Sequence, residues 1–385
     1  MSGQHALLSP SAAHRWLNCT AAPRLEAEVP DVDSAYAQEG TLAHAYGARK
    51  LKSFLGLDTC GEDAEIATLD AAYHTGEMDE YTDTYRAIVL EKYAAAKSKT
   101  PDAQLLIETR LDFTGFIPGA FGTADSVIIA DDLIEVIDFK YGKGVRVDAT
   151  ENPQMMIYAL GAYLLFNFEY RTERVRMTIV QPRIDNLSEF EMSVPQLLDW
   201  AEKVLMPRAR KAYAGKGPQV PGDWCRFCKV KSHCKGLATM CTDLAGNNPD
   251  PGLISARKMA ADILPRLSMI KSWVDGVEDY TLRQALEGVK YDGFKLVAGR
   301  SVRKISDAAA VTDILGRNGF APEQIQKPTE LRGITDLEKI VGKKRFNALC
   351  ADFLIKPQGK PALVPETDKR PVYNAAADDF NDITI

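Results

Sequence analysis

"FGTADSVIIADDLIEVIDFKYG", residues 121–142, decides how the chain is read. Two runs rich in valine and isoleucine flank the polar pair Asp131 and Asp132, the pattern of two strands joined by a tight hairpin. With that pair at the tip, Ala130 faces Leu133, Ile129 faces Ile134, and the outward count sets Asp125 opposite Asp138; a four-residue loop gives the same pairing. Directly opposed side chains lie roughly 4.5–5.5 Å apart, and like charges there repel, so a cation is expected between them. Lys140 shares the face of Asp138 because side chains alternate along a strand, whereas Glu135 points the other way. Two carboxylates and an ammonium group on an apolar sheet suit a hard divalent cation, Mg2+ or Mn2+, that takes further oxygens from a phosphate. In phosphodiester hydrolysis such an ion neutralises developing charge and acidifies its water, and a nearby lysine can orient or deprotonate that water.

Outward from the hairpin, "LLIETRLDF" from Leu105 reads as a preceding strand and "VRMTIVQPRI" from Val175 as a following one. Between them "ENPQMMIYALGAYLLF" starts a helix, with Asn152 as cap and Pro153 in the first turn. Gln154 and Tyr158 fall one turn apart on that helix, which follows the acidic pair in the chain, and project from one face. On the amino side, Ser9 to Leu17 reads as a short helix capped by Ser9 or Ser11, Gly40 to Leu51 as a second helix carrying His44, and Tyr81 to Lys97 as a third. Pro195 to Ala214 is a further helix. Helices, three strands, a helix, a strand and a helix describe an α/β core with a mixed sheet.

"AGNNPDPG", residues 245–252, has the composition of a linker, which places a core domain over 1–244 and an accessory, mostly helical domain over 253–375. The latter holds a helical region from Ile254 to Leu286, kinked at Pro265, and a hairpin around "FKLVAGRSVRKI"; residues 376–385 form an acidic tail. A length of 385 residues exceeds one ordinary core, and 45% hydrophobic with 26% charged residues is a soluble globular composition. "MSGQHALLSP" lacks the basic start and apolar stretch of a signal peptide, and "IYALGAYLLF" is too short to cross a bilayer. A cytoplasmic protein with no membrane partner is expected.

Seven cysteines without an export signal make a disulfide framework unexpected, and the clustered thiols among them read as metal ligands. "WCRFCKVKSHCKG", residues 224–236, presents Cys225, Cys228 and Cys234 at gaps of two and five residues. Three thiolates are an incomplete cage; Cys241 is the nearest further cysteine, and His233 would complete a zinc site. The net charge of -6 excludes an overall basic coat, yet Arg208, Arg210, Lys211, Lys216, Arg226, Lys229, Lys231 and Lys235 run through this region with Asp223 as the lone acid among them. Such a patch suits nucleic-acid phosphates, and on charge alone it equally suits a solvated helix face.

"GTLAH" with His44, "GTADSVII" with Asp125, "VIDFKYG" with Asp138 and Lys140, and "NPQMMIYALGAY" with Gln154 and Tyr158 resemble, in order, the motifs of the RecB-like branch of PD-(D/E)XK nucleases. The resemblance spans about residues 5–240 and implies a restriction-endonuclease-like core. It implies a metal held by His44, Asp125 and Asp138, water served by Lys140, a strand positioned by Gln154 and Tyr158, and digestion from DNA ends. Arg208, Arg210, Lys211, Arg226, Lys229 and Lys231 would then track phosphates.

Iron–sulfur members of that branch, including the AddB nuclease domain and the CRISPR-associated RecB-like exonucleases, carry one cysteine before the core and three after it. Cys19 in "SPSAAHRWLNC", with Cys225, Cys228 and Cys234, is similar to that set, and the resemblance implies a 4Fe-4S cluster stapling the first helix to the end of the domain. Cys60 and Cys350 have no motif around them, and Ala48 stands where many relatives carry a glutamate one turn after the histidine. No Walker A loop is present, which implies a free-standing nuclease. The whole chain, including "GRSVRK" and "KPALVPETDKRP", is similar to a phage and prophage family, implying a place in DNA replication or recombination beside a single-strand annealing or single-strand-binding protein. The alternative is a non-catalytic DNA-binding or assembly module that keeps the nuclease fold. A zinc-stabilised scaffold whose acidic tail recruits a partner is a third class.

Overall fold

The hairpin forms in the expected register, with Ala130 paired to Leu133, Ile129 to Ile134, and the ladder running on to Ser126 with Ile137. Asp132 takes a left-handed backbone (φ 71°) at the tip, a conformation that aspartate tolerates better than branched residues. The computed structural model describes residues 6–30, 34–168, 170–246, 264–299, 304–325, 331–355, 359–366 and 370–373. Contacts divide the chain into two compact units, Met1–Val274 and Asp275–Ile385.

In the first unit, α1 (Ala13–Asn18), α2 (Ala22–Glu26), α3 (Ala35–Leu55), α4 (Cys60–Tyr73) and α5 (Gly76–Lys99) precede β1 (Gln104–Asp112), β2 (Phe121–Ala130) and β3 (Asp132–Phe139). Then come α6 (Pro153–Phe166), β4 (Thr172–Gln181), β5 (Asn186–Ser193), α7 (Val194–Trp200), α8 (Met206–Tyr213) and α9 (Lys235–Gly246). The five strands lie in sequence order, antiparallel except for β3 and β4, which run parallel because α6 carries the chain back across the sheet. This is the expected α/β architecture, a mixed sheet flanked by helices.

One sheet face packs Val127, Ile129, Val136 and Met177 under α1, α6 and α7, with Trp16 and Phe113 fully buried. The other packs Ile107, Ile128, Ile137 and Phe139 under α3 and α5. Each large apolar side chain so buried contributes about 1.5–3 kcal/mol. α6 begins as predicted: Asn152 Oδ1 accepts the amides of Gln154 and Met155 at 3.1 and 3.4 Å, and Pro153 opens the first turn. Because α6 is covered by the sheet and by α1, all residues from Met155 to Ala162 are buried.

Several expected boundaries are corrected. Neither Ser9 nor Ser11 caps the first helix; their hydroxyls pair with each other at 3.3 Å, and a 3-10 turn at Pro10–Ala12 leads into α1. α3 starts before Gly40, because Ser34 Oγ accepts the Ala37 amide at 3.1 Å. α4 and β5 were not expected. α7 continues to α8 through a π turn at Ala201–Leu205, where Pro207 supplies no amide to close an α turn.

The second unit packs Val311, Leu315, Ile325, Leu337, Phe346 and Cys350 into its own core. The expected hairpin around "FKLVAGRSVRKI" does not form among the described residues. Phe294–Gly299 pairs antiparallel with Gly359–Pro365, and Lys304–Ile305 with Leu354–Ile355, so each arm finds a partner far along the chain. α10 covers Leu264–Leu286 with Pro265 in its first turn. The expected linker from position 247, the helical stretch 254–263 and the tail 376–385 lie outside the described residues. Among the described residues no helix is long and apolar enough to cross a membrane.

Candidate active site

The β2–β3 ladder ends at Ser126 and Ile137, and the next pair in its register is Asp125 and Asp138. There Asp125 turns its carboxylate onto β3, and Oδ2 accepts the Phe139 amide at 2.7 Å. Across β2 on the other side, Ile107 pairs with Ser126 and Thr109 with Ala124, which brackets Glu108 and Asp125. Glu108 has φ 49°, and side-chain alternation breaks at this point: Ile107 packs in one layer, Leu111 in the other. An irregularity of this kind re-aims side chains at a strand end.

The result is a cluster. His44 of α3 brings Nδ1 to 3.3 Å from Asp125 Oδ1. His44, Glu108 and Asp125 each offer a donor atom, all within 4.8 Å of one another. Lys140 Nζ lies 3.0 Å from Asp138 Oδ2 and donates to Gln154 Oε1 at 3.1 Å, while Gln154 Nε2 donates to Asp138 Oδ1 at 3.1 Å. Asp138 Oδ2 is buried and accepts no well-aligned hydrogen bond. All six expected side chains, His44, Asp125, Asp138, Lys140, Gln154 and Tyr158, line one open pocket, joined by Ser11, Glu62, Glu65 and Glu108.

Electrostatics separates the carboxyls. Burial opposes charge on Asp125, but the His44 imidazole and the Phe139 amide outweigh it and hold its carboxyl below the usual range. Burial raises Asp138, with Lys140 opposing and Asp125 adding repulsion. Burial and then Asp125 push Glu108 up to about 8, against His44 and Lys52. For His44, burial works against the charged ring, yet Asp125, Glu108 and Asp138 together raise it to about 9. Lys140 is likewise held as an ammonium group by Asp138 and Asp125 despite burial. Protons thus occupy a site whose donors, an imidazole and buried carboxylate oxygens lacking full hydrogen bonding, fit a hard cation.

The four cysteines also meet. Cys19, Cys225, Cys228 and Cys234 line one small cavity with apolar walls from Ala22, Leu25, Val220 and Leu237. The Val220 amide donates to Cys19 Sγ and the Gly222 amide to Cys225 Sγ, each at 3.4 Å. Burial, with Glu26 adding, pushes the Cys228 thiol up to about 12. Cys241 does not line the cavity; it is buried in one apolar cluster with Cys225 and Leu237, against which Cys234, Met269, Ile270 and Trp273 pack. His233 lines it neither, and its Nδ1 lies 3.1 Å from Ser232 Oγ. This donor set of four thiols around one void fits an iron–sulfur cluster.

The basic residues divide. Arg208 donates to Leu17 O at 3.0 Å, and Lys231 Nζ donates to Arg226 O and Ser272 Oγ, so both hold segments together. Arg226 lies over the Phe227 ring, and the Lys229 amide donates to Glu26 Oε1. Arg210, Lys211, Arg226 and Lys229 are exposed.

Three pocket carboxylates escape the sequence reading: Glu108, Glu62 and Glu65. The register count that finds Asp138 would also set Glu108 opposite Asp125, but the connection between β1 and β2 spans residues 113–120 and no tight turn pins its pairing. Glu62 and Glu65 ride on α4, whose sequence "CGEDAEIATLDAAY" lacks a clear apolar stripe.

Among solved structures the chain is similar to the "Putative exonuclease" from Eubacterium rectale, 13% identical over 66% of this chain and 93% of that chain with a TM-score of 0.34. It is similar also to SSO0001, 15% identical over 57% of this chain and 95% of that chain with a TM-score of 0.24. The family model DUF2800, described as "Protein of unknown function", matches residues 5–371, so nearly the whole chain is accounted for by it and the protein belongs to the DUF2800 family.

Proposed function

We propose that this protein is a divalent-metal-dependent DNA nuclease acting from DNA ends. The observation that carries the reading is the meeting of Asp125, Asp138 and Lys140 with His44 at one irregular strand end that opens into a pocket. His44, Glu108 and Asp125, with Asp138 lining the same pocket, would hold Mg2+ or Mn2+. When bound, the ion supplies charge neutralisation on the phosphate and acidifies water. Lys140 donates to the attacking water or to a phosphate oxygen, and Gln154 keeps Lys140 and Asp138 in register by bonding both. Tyr158, whose ionisation is suppressed by burial and by Asp138, stays a hydroxyl donor for a non-bridging oxygen. Exposed Arg210, Lys211, Arg226 and Lys229 supply salt-sensitive, sequence-tolerant binding.

Cys19, Cys225, Cys228 and Cys234 we read as ligands of a 4Fe-4S cluster. The order of the four cysteines, one before the core and three after it as in the iron–sulfur relatives that the chain resembles, is what favours this centre over zinc.

End-labelled linear and circular DNA, incubated with and without Mn2+, test the reading. Metal-dependent loss of label from linear DNA is expected, and Asp138→Ala or Lys140→Ala abolishes it while the circular dichroism spectrum is kept. Cleavage surviving in both variants would discard the site. DNA retention without any cleavage would favour a non-catalytic binding module instead.

A further inference from the structure

One wall of the pocket is a single strip of α3. Tyr36, Gly40, His44 and Ala48 follow one another at one-turn steps, Ala37, Thr41 and Ala45 fill the neighbouring row, and all of them line the opening. The strip descends from solvent to core, with Tyr36 86% exposed, His44 partly buried and Ala48 4% exposed. Between its ends lies open space, since a Cβ added at Gly40 would meet nothing within 4 Å. Two turns of helix separate Tyr36 from His44, a span of about 12 Å at 1.5 Å per residue.

Charge is distributed unevenly along this strip. Glu65, Glu108, Asp125 and Asp138 all interact with His44 at its inner end, where Asp138 and Gln154 also hold Lys140. At the mouth, Ser11, Tyr36, Ala37, Gly40 and Thr41 carry no charge, and Glu39, paired with Arg183 at 3.0 Å, does not line the pocket. A DNA strand lying along this part of α3 meets no cation there to hold its phosphates. The open Tyr36 ring offers the other kind of grip, because an aromatic face stacks any base whatever its sequence.

We propose that Tyr36 is a base-stacking platform: the strand whose phosphate reaches His44 and Asp125 lays an unpaired base on this ring. At about 3.4 Å per stacked nucleotide, the span of about 12 Å puts that base about three to four nucleotides from the cleaved bond. Bases inside a duplex have both faces covered by their neighbours, so the contact selects unpaired DNA. The proposal deepens the nuclease reading, on which the place of the cleaved bond rests.

Binding of a fluorescent oligothymidylate to the full-length protein, followed by anisotropy with Ca2+ in place of Mn2+, tests the proposal, with single abasic sites walked inward from either end of the strand. Tyr36→Ala, an exposed change in the first turn of α3 that leaves the core alone, should weaken binding of the all-thymidine strand about 5- to 150-fold, and Tyr36→Trp should keep it. One abasic position should weaken binding to the wild type by a similar factor and leave Tyr36→Ala unaffected. Equal binding by wild type and Tyr36→Ala, equal loss in Tyr36→Ala and Tyr36→Trp, or an abasic penalty that persists in Tyr36→Ala overturns the platform. Metal-dependent loss of end label with unaltered binding in Tyr36→Ala would sink this proposal and leave the nuclease standing; base-dependent binding that Tyr36→Ala abolishes, without cleavage of any DNA, would do the reverse.

Discussion

Asp125 serves three neighbours at once: one oxygen faces the His44 imidazole, the other takes the Phe139 amide, and Glu108 crowds it from β1. Without a metal, this crowding is relieved by protons on the partners. His44 is raised from 6.5 to about 9 and Glu108 from 4.5 to about 8, so between those limits the folded chain binds protons that the unfolded chain has lost. The stability from His44 is therefore complete below pH 6.5 and lost as pH rises through 9, and that from Glu108 is complete below 4.5 and lost through 8. The metal-free protein should melt at progressively lower temperature from pH 6 to pH 9, and Glu108→Gln should flatten that slope. A melting temperature that rises over this range would contradict the assignment. Mn2+ uptake at pH 7 should release protons, seen as a buffer-dependent heat in calorimetry; equal heats in buffers of different ionisation enthalpy would count against proton displacement. At this scale Asp125, Asp138 and Lys140 were legible, because a tight hairpin transmits register along both strands. Glu108 was not, since a long connection transmits none.

α6 shows how an element reverses a local propensity. Replacing a helix-interior glycine by alanine ordinarily stabilises by about 1 kcal/mol. At Gly161 an added Cβ would lie 2.3 Å from Phe113 Cε1, 2.8 Å from its Cδ1 and 3.2 Å from Leu111 Cβ. The helix is drawn onto β1 by that contact, and overpacking costs about 1–3 kcal/mol. Gly161→Ala should lower the urea midpoint, and an unchanged or higher midpoint would show that the helix and strand can part. The start of α6 was readable from Asn152 and Pro153, because caps act within one turn. β5 was missed because "NLSEFEMS" is a half-exposed edge strand paired only to β4, and α4 because its burial comes from packing on α3 rather than from its own pattern.

Over the whole first unit, the amino-terminal segment is tied to chain nearly 200 residues away. Arg208 donates to Leu17 O, Arg24 to Tyr213 O at 2.8 Å, and Glu26 accepts the Lys229 amide; Cys19 of the same segment shares a cavity with the later cysteines. Anaerobically purified protein should carry iron with equimolar sulfide. Cys19→Ser should strip the brown chromophore and lower the melting temperature, while Cys241→Ser, outside the cavity, should keep the colour; the opposite pattern would reassign the fourth ligand. By itself, the sequence determined the β2–β3 register, the face shared by Asp138 and Lys140, and the start of α6, because turns, alternation and caps act over a few residues. Only the tertiary structure decided that Glu108, Glu62 and Glu65 enter the pocket, that Cys19 rather than Cys241 faces the cavity, and that Phe294–Gly299 pairs with Gly359–Pro365. Those meetings join segments far apart in the chain, and their positions follow from which apolar faces bury one another, a quantity that no local spacing encodes.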